Sequence, residues 1–209
     1  MNLTNTRIQN TYGGLLNIGS QGLTGSQPIS DGFGNVLPIE VSDTNVNFTG
    51  TVSGLTIEPY YGVFYDDNDQ SIAVINTPQV VQITNTEEAN GIGIVSGSKI
   101  TINNPRKYSM AVTFLVQNLS GNPEDLVFWL KFNGTDYPRS AHFMTAPARK
   151  SAGVPSQTIV NFNFIGTSTR AGDYVEIYWQ GTSTALTLKQ TRGAGYPDSD
   201  SVYVTIHSI

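Results

Sequence analysis

The chain has 209 residues, a formal net charge of −5, only 13% charged residues and no cysteine. Phosphate recognition needs clustered Lys and Arg, and the eleven basic residues here are scattered, so no nucleic-acid partner is expected. Disulfides and thiolate metal sites are ruled out, and no apolar run approaches the roughly 18–20 residues of a membrane span, so no membrane partner is expected either.

The chain opens on M-N-L-T-N-T-R, without the charged-then-apolar pattern of a secretory signal, which predicts a soluble protein made in a cytoplasm. Residues 1–57 differ from the rest. Ile8, Tyr12, Leu15 and Leu16 have helix-like spacing, but Gly13-Gly14 interrupt it. Asn17 to Ser30 is rich in Gly, Ser and Gln and reads as irregular chain. After the turn cluster Asp31–Asn35, the alternation of Leu37, Ile39 and Val41 predicts a short strand, which Pro38 confines to an edge or to pairing on one side. Val46, Phe48 and Val52 extend the pattern. So few apolar residues cannot close a core alone, and the segment is expected to be ordered by docking elsewhere.

From Glu58 onward strand signals follow one another, separated by turn residues. Tyr60–Tyr65 is the first, ended by Asp66-Asp67-Asn68-Asp69. Ile72–Ile75 and Val80–Thr84 are read as strands, with Glu87-Glu88 in the loop after them. Ile92–Val95 and Lys99–Ile102 flank Ser96-Gly97-Ser98 as a hairpin. In Lys107–Asn118, residues Tyr108, Met110, Val112, Phe114 and Val116 share one face, the period of two that marks a strand. Val127–Phe132 is apolar at both alternating positions, as in a strand covered on both sides, and Asn133-Gly134 tolerates the positive φ of a tight hairpin. Thr158, Val160, Phe162 and Phe164 alternate next, then Val175, Ile177 and Trp179 against Tyr174, Glu176 and Tyr178. After Thr184–Gln190 and a Gly/Pro/Asp loop, the chain ends on the strand Ser201–Ile209. Eight or more short strands after Glu58 predict an all-β fold: a two-sheet antiparallel jelly-roll sandwich over 58–209, preceded by an extended, partly irregular N-terminal segment over 1–57.

Several stretches carry a family resemblance. Arg170-Ala171-Gly172-Asp173-Tyr174-Val175-Glu176-Ile177 resembles the signature of jelly rolls similar to the complement globular head and tumour necrosis factor. Trp129-Leu130-Lys131-Phe132-Asn133-Gly134, followed by Tyr137-Pro138-Arg139-Ser140, resembles a hairpin of bacteriophage structural proteins of that shape. Asn10–Leu16 and Ile29–Asn35 resemble attachment regions of phage fibres and capsid-decorating proteins. The resemblance implies a homotrimer in a virion, with 1–57 anchored to capsid or tail proteins. Ile8, Tyr12, Leu15 and Leu16 would then touch the particle, and Tyr203 and Ile209 would lie at the three-fold contact. The role implied is a capsid-decorating, cement or short-fibre protein; the alternative is the receptor- or carbohydrate-binding head of a tail fibre, with a host surface glycan as partner.

Chemistry leaves little trace. His142 and His207 are the only histidines, and no nucleophile-base-orienter pattern accompanies either, so no enzymatic activity is expected. Asp66–Asp69 offers oxygen atoms to Ca²⁺ but lacks the Gly and distal Glu of a hand-type loop; it and Asp198-Ser199-Asp200 read as turns. No cofactor or metal is expected. Tyr60, Tyr61, Tyr65, Tyr137, Tyr178, Trp179 and Tyr196 are candidates for sugar-stacking platforms, although large rings are also the usual content of cores and interfaces. Tyr196 and Tyr137 are the residues singled out as exposed contacts.

Overall fold

The computed structural model describes residues 17–18, 25–30, 35–42, 44–50, 59–193, 195 and 197–209. The chain divides into two units, Met1–Ile57 and Glu58–Ile209. No helix forms among the described residues. Ile8, Tyr12, Leu15, Leu16 and Tyr196 lie outside them.

In the first unit, β1 (Asn17–Ile18), β2 (Gln27–Ser30), β3 (Val36–Val41) and β4 (Val46–Phe48) form a four-stranded antiparallel sheet in chain order. The expectation that Pro38 would restrict β3 to one neighbour is corrected here: β3 pairs β2 on one side and β4 on the other. The register between β2 and β3 shifts between Pro28 and Ser30, opposite the stretch that holds Pro38, so the missing N–H falls where the ladder is already interrupted. Asn17 to Ser30, read as irregular, also supplies the pairs Asn17–Ser30 and Ile18–Ile29.

The second unit is a sandwich of two seven-stranded sheets. Its strands are β5 (Tyr61–Asp66), β6 (Gln70–Ser71), β7 (Gln79–Val80), β8 (Asn85–Asn90), β9 (Ile92–Val95), β10 (Lys99–Ile102), β11 (Lys107–Asn118), β12 (Glu124–Phe132), β13 (Thr135–Asp136), β14 (His142–Ala146), β15 (Ser156–Thr167), β16 (Asp173–Gly181), β17 (Leu186–Leu188) and β18 (Val202–Ser208). One sheet runs β13-β12-β16-β10-β9, with β14 also on β12 and β7 on β16; the other runs β6-β17-β11-β18-β5-β8, with β15 also on β11. Chain neighbours β10 and β11, β11 and β12, β14 and β15, and β15 and β16 lie in opposite sheets, so the strands wrap a single core in jelly-roll fashion.

The alternating residues of the long strands make that core. Tyr108, Met110, Val112, Phe114 and Val116 of β11 are all buried, as are Val175, Ile177 and Trp179 of β16. At its centre Phe128 stacks between Phe114 (centroids 4.4 Å apart) and Trp179 (5.9 Å), with Phe162 meeting Phe114 and Phe128 at 5.8 and 5.4 Å. The core-facing half of Val127–Phe132 behaves as expected, but Trp129 is only half-buried, lying over Tyr178 on the outer face. Two strand assignments are corrected as well. Ile72–Ile75 is a loop following the two-residue β6, because only Ile72 turns inward. Glu87-Glu88 belong to β8 rather than a loop; β8 is an edge strand, where charged side chains reach water and discourage further pairing. Of Val80–Thr84, only Val80 extends a strand.

Asn133 and Gly134 have φ of 49° and 80°, the left-handed pair that a two-residue hairpin needs. The Asn133 side chain then donates to Asp173 Oδ1 (2.9 Å) and accepts the Tyr174 N–H (2.9 Å), tying the turn to the start of β16. Asp173 Oδ2 accepts from Ser168 Oγ and from the N–H groups of Thr169 and Arg170 at 2.9–3.1 Å. Burial alone would push this carboxyl up, but the donors around it hold it below its ordinary value of 3.8. The stability it confers is therefore fully present above that ordinary value and lost as pH falls through the depressed one. Replacing Asp173 by Ala should cost about 2–3 kcal/mol by stranding these donors. Chemical denaturation of wild type and D173A from pH 7 down to pH 2 should show the two curves converging at the acid end; a constant gap would refute the assignment.

Candidate functional site

The two outer faces of the sandwich differ in charge. On the sheet containing β15, β11, β18 and β5, the core-facing residues alternate with an outward set. Register places Ile159 beside Leu115; Asn161 beside Thr113, Tyr203 and Tyr65; Asn163 beside Ala111, Thr205 and Val63; and Ile165 beside Ser109, His207 and Tyr61. None of these positions is Asp, Glu, Lys or Arg. Ile159 and Ile165 are 67% and 63% exposed, and the β15 residues between them on this face are Asn161 and Asn163. Charged side chains border it: Lys107 at the start of β11, Glu87 and Glu88 on β8, and Asp198 and Asp200 in the loop beside Ile159 and Tyr203.

Tyr203 lies on this face, partly exposed, and its hydroxyl donates to Glu87 (3.2 Å). A shallow depression of about 340 Å³ runs from it past Leu115 and Ile159 to Asp198 and Asp200. Ile209 follows β18, its N–H bonded to the Lys107 carbonyl (3.0 Å) while its side chain stays exposed. β18 itself is interior to the sheet, paired by β11 and β5. Tyr137 is half-buried, with its ring edge-on to Phe132 (6.5 Å) and packed against the core.

The opposite face, on β14, β12, β16 and β10, carries charges and aromatic rings. Trp129 lies over Tyr178 (5.8 Å) and donates from Nε1 to Asp136 (2.9 Å); Lys131 sits over the Tyr178 ring (4.5 Å), and Lys99 over Tyr174 (4.6 Å). Beside them is a cleft of about 380 Å³ whose walls include Asn76, Asp125, Phe143 and Gln180. Of the sequence candidates for ring platforms, Tyr178 is on this face and Tyr61 and Tyr65 are on the other, whereas Trp179 is fully buried. The sequence reading missed Trp129 and Phe143 as surface aromatics. Phe143 is 82% exposed, and H-F-M-T-A gives no signal for it, because His142 and Met144 on the alternate positions are equally able to face a core.

The two histidines lie in different sheets. His142 stacks on Phe162 (4.4 Å) and meets Phe164 edge-on, and His207 lies in the other sheet. Among the described residues, no group of three or more His, Asp or Glu is arranged to hold a metal. The oxygens of Asp66 are taken up by Asn68, Gln70 and Thr84, and Asp69 pairs with Lys189. Neither a comparison with protein-family models nor one with curated proteins returns a match.

Acidic groups crowd one corner of the charge-free face. Asp200 is raised above the ordinary carboxylate value first by burial, then by the charges of Asp67, Glu87, Asp198 and Asp66. A raised acid penalises the folded state above both pKa values and ceases to do so below the unfolded one. The Asp200→Asn variant should therefore melt at a higher temperature than wild type at pH 7, and the difference should vanish below about pH 3.8, where the carboxyl is protonated in both states. Melting curves at the two pH values check this.

Proposed function

We propose that this chain is a structural component of a bacteriophage particle, a homotrimeric capsid-decorating, cement or short-fibre protein attached through residues 1–57. The observation that carries the reading is the charge-free outer face of β15, β11, β18 and β5, with Ile159 and Ile165 standing exposed on it. Depletion of charge is what distinguishes the core of a protein interface from ordinary surface. On this four-strand-wide area only the exposed isoleucines are costly to leave in water, and covering each stabilises an assembly by roughly 1.5–3 kcal/mol. Three-fold packing of a sandwich is a closed, heterologous arrangement, in which this face of one copy meets its neighbours. The resemblance in the Trp129–Ser140 and Arg170–Ile177 stretches supports the same assembly, and the separate first unit supports a division between anchor and body.

The mechanism is passive. Apolar burial holds the trimer, residues 1–57 lay chain onto the particle surface, and three identical anchors on one trimer strengthen attachment by avidity. A receptor- or carbohydrate-binding head of a tail fibre is the second reading, favoured by the exposed Phe143 and the cleft beside it.

Light scattering of the purified chain should give three times its 22.6 kDa mass. The double variant I159D/I165D, altered only at exposed positions, should remain folded and run as a monomer. A monomeric wild type at micromolar concentration would end the trimer reading. Deleting residues 1–57 should leave a folded trimer that no longer sediments with particles; sedimentation of the truncated protein with particles would refute the anchor.

A further inference from the structure

The cleft on the charged face has contents that assembly does not use. Register aligns Phe143 of β14, Val127 of β12 and Gln180 of β16 in one row across three strands. The next row toward the start of β12 holds Asp125 and Thr145, whose hydroxyl donates to Asp125 Oδ1 (2.6 Å), leaving Oδ2 of the carboxylate without a bond to a described residue. Asn76 arrives from the loop after β6, fixed by its backbone N–H on the Gly181 carbonyl (2.9 Å). In the other direction, two residues along, the row is Trp129 and Tyr178.

Two properties of this arrangement narrow what it can take. The first is an exposed ring standing at the lip of a polar cleft, with a second aromatic pair about 7 Å further along the strands. Phe143 is the most exposed large apolar side chain of the sandwich, and nothing in the core requires it to be there. The second is unfilled hydrogen-bonding capacity. The Gln180 side chain is half-buried, yet neither its amide nor that of Asn76 bonds to a described residue. Each amide offers two donors and an acceptor group, and the free Asp125 oxygen offers a further acceptor. Flat apolar surface beside several neutral donors and acceptors is complementary to a pyranose, which presents an apolar C–H face and a rim of hydroxyls. The volume is also within the range of small-ligand sites, roughly 300–1,000 Å³.

Charge selects among sugars. Asp125 is the one ionised group in the cleft lining, Glu124 lies next to it on Thr182 (2.7 Å), and the whole chain is at −5. Anionic glycans would meet repulsion from these two carboxylates, while Lys131 on the same face is paired with Asp136 (3.6 Å). We propose that the cleft between Phe143, Gln180 and Asp125 is a binding site for neutral oligosaccharides, with Phe143 stacking on one sugar ring and the Gln180 and Asn76 amides, together with Asp125, holding its hydroxyls. The site lies on the sheet opposite the charge-free face, so its existence does not depend on the trimer.

The test uses the full chain on an array of neutral hexose and N-acetylhexosamine oligosaccharides beside sialylated and sulfated ones. The strongest neutral probe is then titrated against wild type, F143A, Q180A and I159D. Binding confined to neutral glycans is expected, weakened about tenfold or more in F143A and in Q180A through the lost stacking and hydrogen bonds, and unchanged in I159D. Thermal melts confirm that the variants at these exposed or half-buried positions are folded. Absence of any neutral-glycan binding, a preference for anionic glycans, or full affinity in both cleft variants overturns the proposal. Light scattering on the same samples reports the trimer separately, so either reading can fail without the other.

Discussion

The hydrogen bonds around Asp173 hold together parts of the sandwich that are far apart in the chain. One carboxylate oxygen fixes the Asn133 side chain at the tip of the β12 hairpin, and the other gathers Ser168, Thr169 and Arg170 from the turn between β15 and β16. Asn133 in turn accepts the Tyr174 N–H, so the hairpin tip and the first residues of β16 cannot slip relative to each other. Register errors of one residue in a sheet move every side chain to the wrong face. Here such an error would turn Trp179 and Ile177 outward and pull Tyr178 and Glu176 into the core. The knot at Asp173 therefore does for β12 and β16 what hydrophobic pattern alone does poorly in V-F-W-L-K-F, where both faces carry apolar residues.

Fixing that register also fixes what each outer face displays. With Trp179 committed to the Phe128 stack, Tyr178 must face outward beside Trp129, and Gln180 must line the same surface as Phe143. On the other sheet, the twelve-residue pairing of β11 with β15 and the central place of β18 set Ile159, Ile165 and Tyr203 on one plane. A single core thus determines two surfaces of opposite character, one depleted of charge and the other furnished with rings, lysines and carboxylates.

The long strands were legible in the sequence because their apolar residues keep a period of two over many residues. β11, β15, β16 and β18 stand where alternation places them, and Asn133-Gly134 makes the turn its backbone freedom predicts. The short strands were not legible. β8 reads N-T-E-E-A-N, with no apolar face, and is a strand because β5 offers it a partner. β3 keeps two neighbours despite Pro38 because a bulge absorbs the missing donor, a tertiary accommodation invisible in the local pattern. The surfaces were less legible still. Each outward Asn, Thr or Ser on β11, β15 and β18 looks like an ordinary solvent position taken strand by strand, and only the sheet order reveals that they adjoin.

The proposed interface, with Thr113, Ala111, Thr205 and Asn163 between two exposed isoleucines, is only weakly apolar. It avoids the exposed greasy patch that would make a folding monomer aggregate. The absence of charge lowers the desolvation cost of covering it, since few ionic groups must be stripped of water. Charged residues are retained at the boundary, where Glu87 holds the Tyr203 hydroxyl and Asp200 lies near Asp67, Glu87 and Asp198. In the proposed assembly this face would be covered at low desolvation cost while the charges at its margin stay in water. The proposed glycan cleft lies on the other sheet, so covering the charge-depleted face leaves Asp125, Lys131 and Asp136 in water.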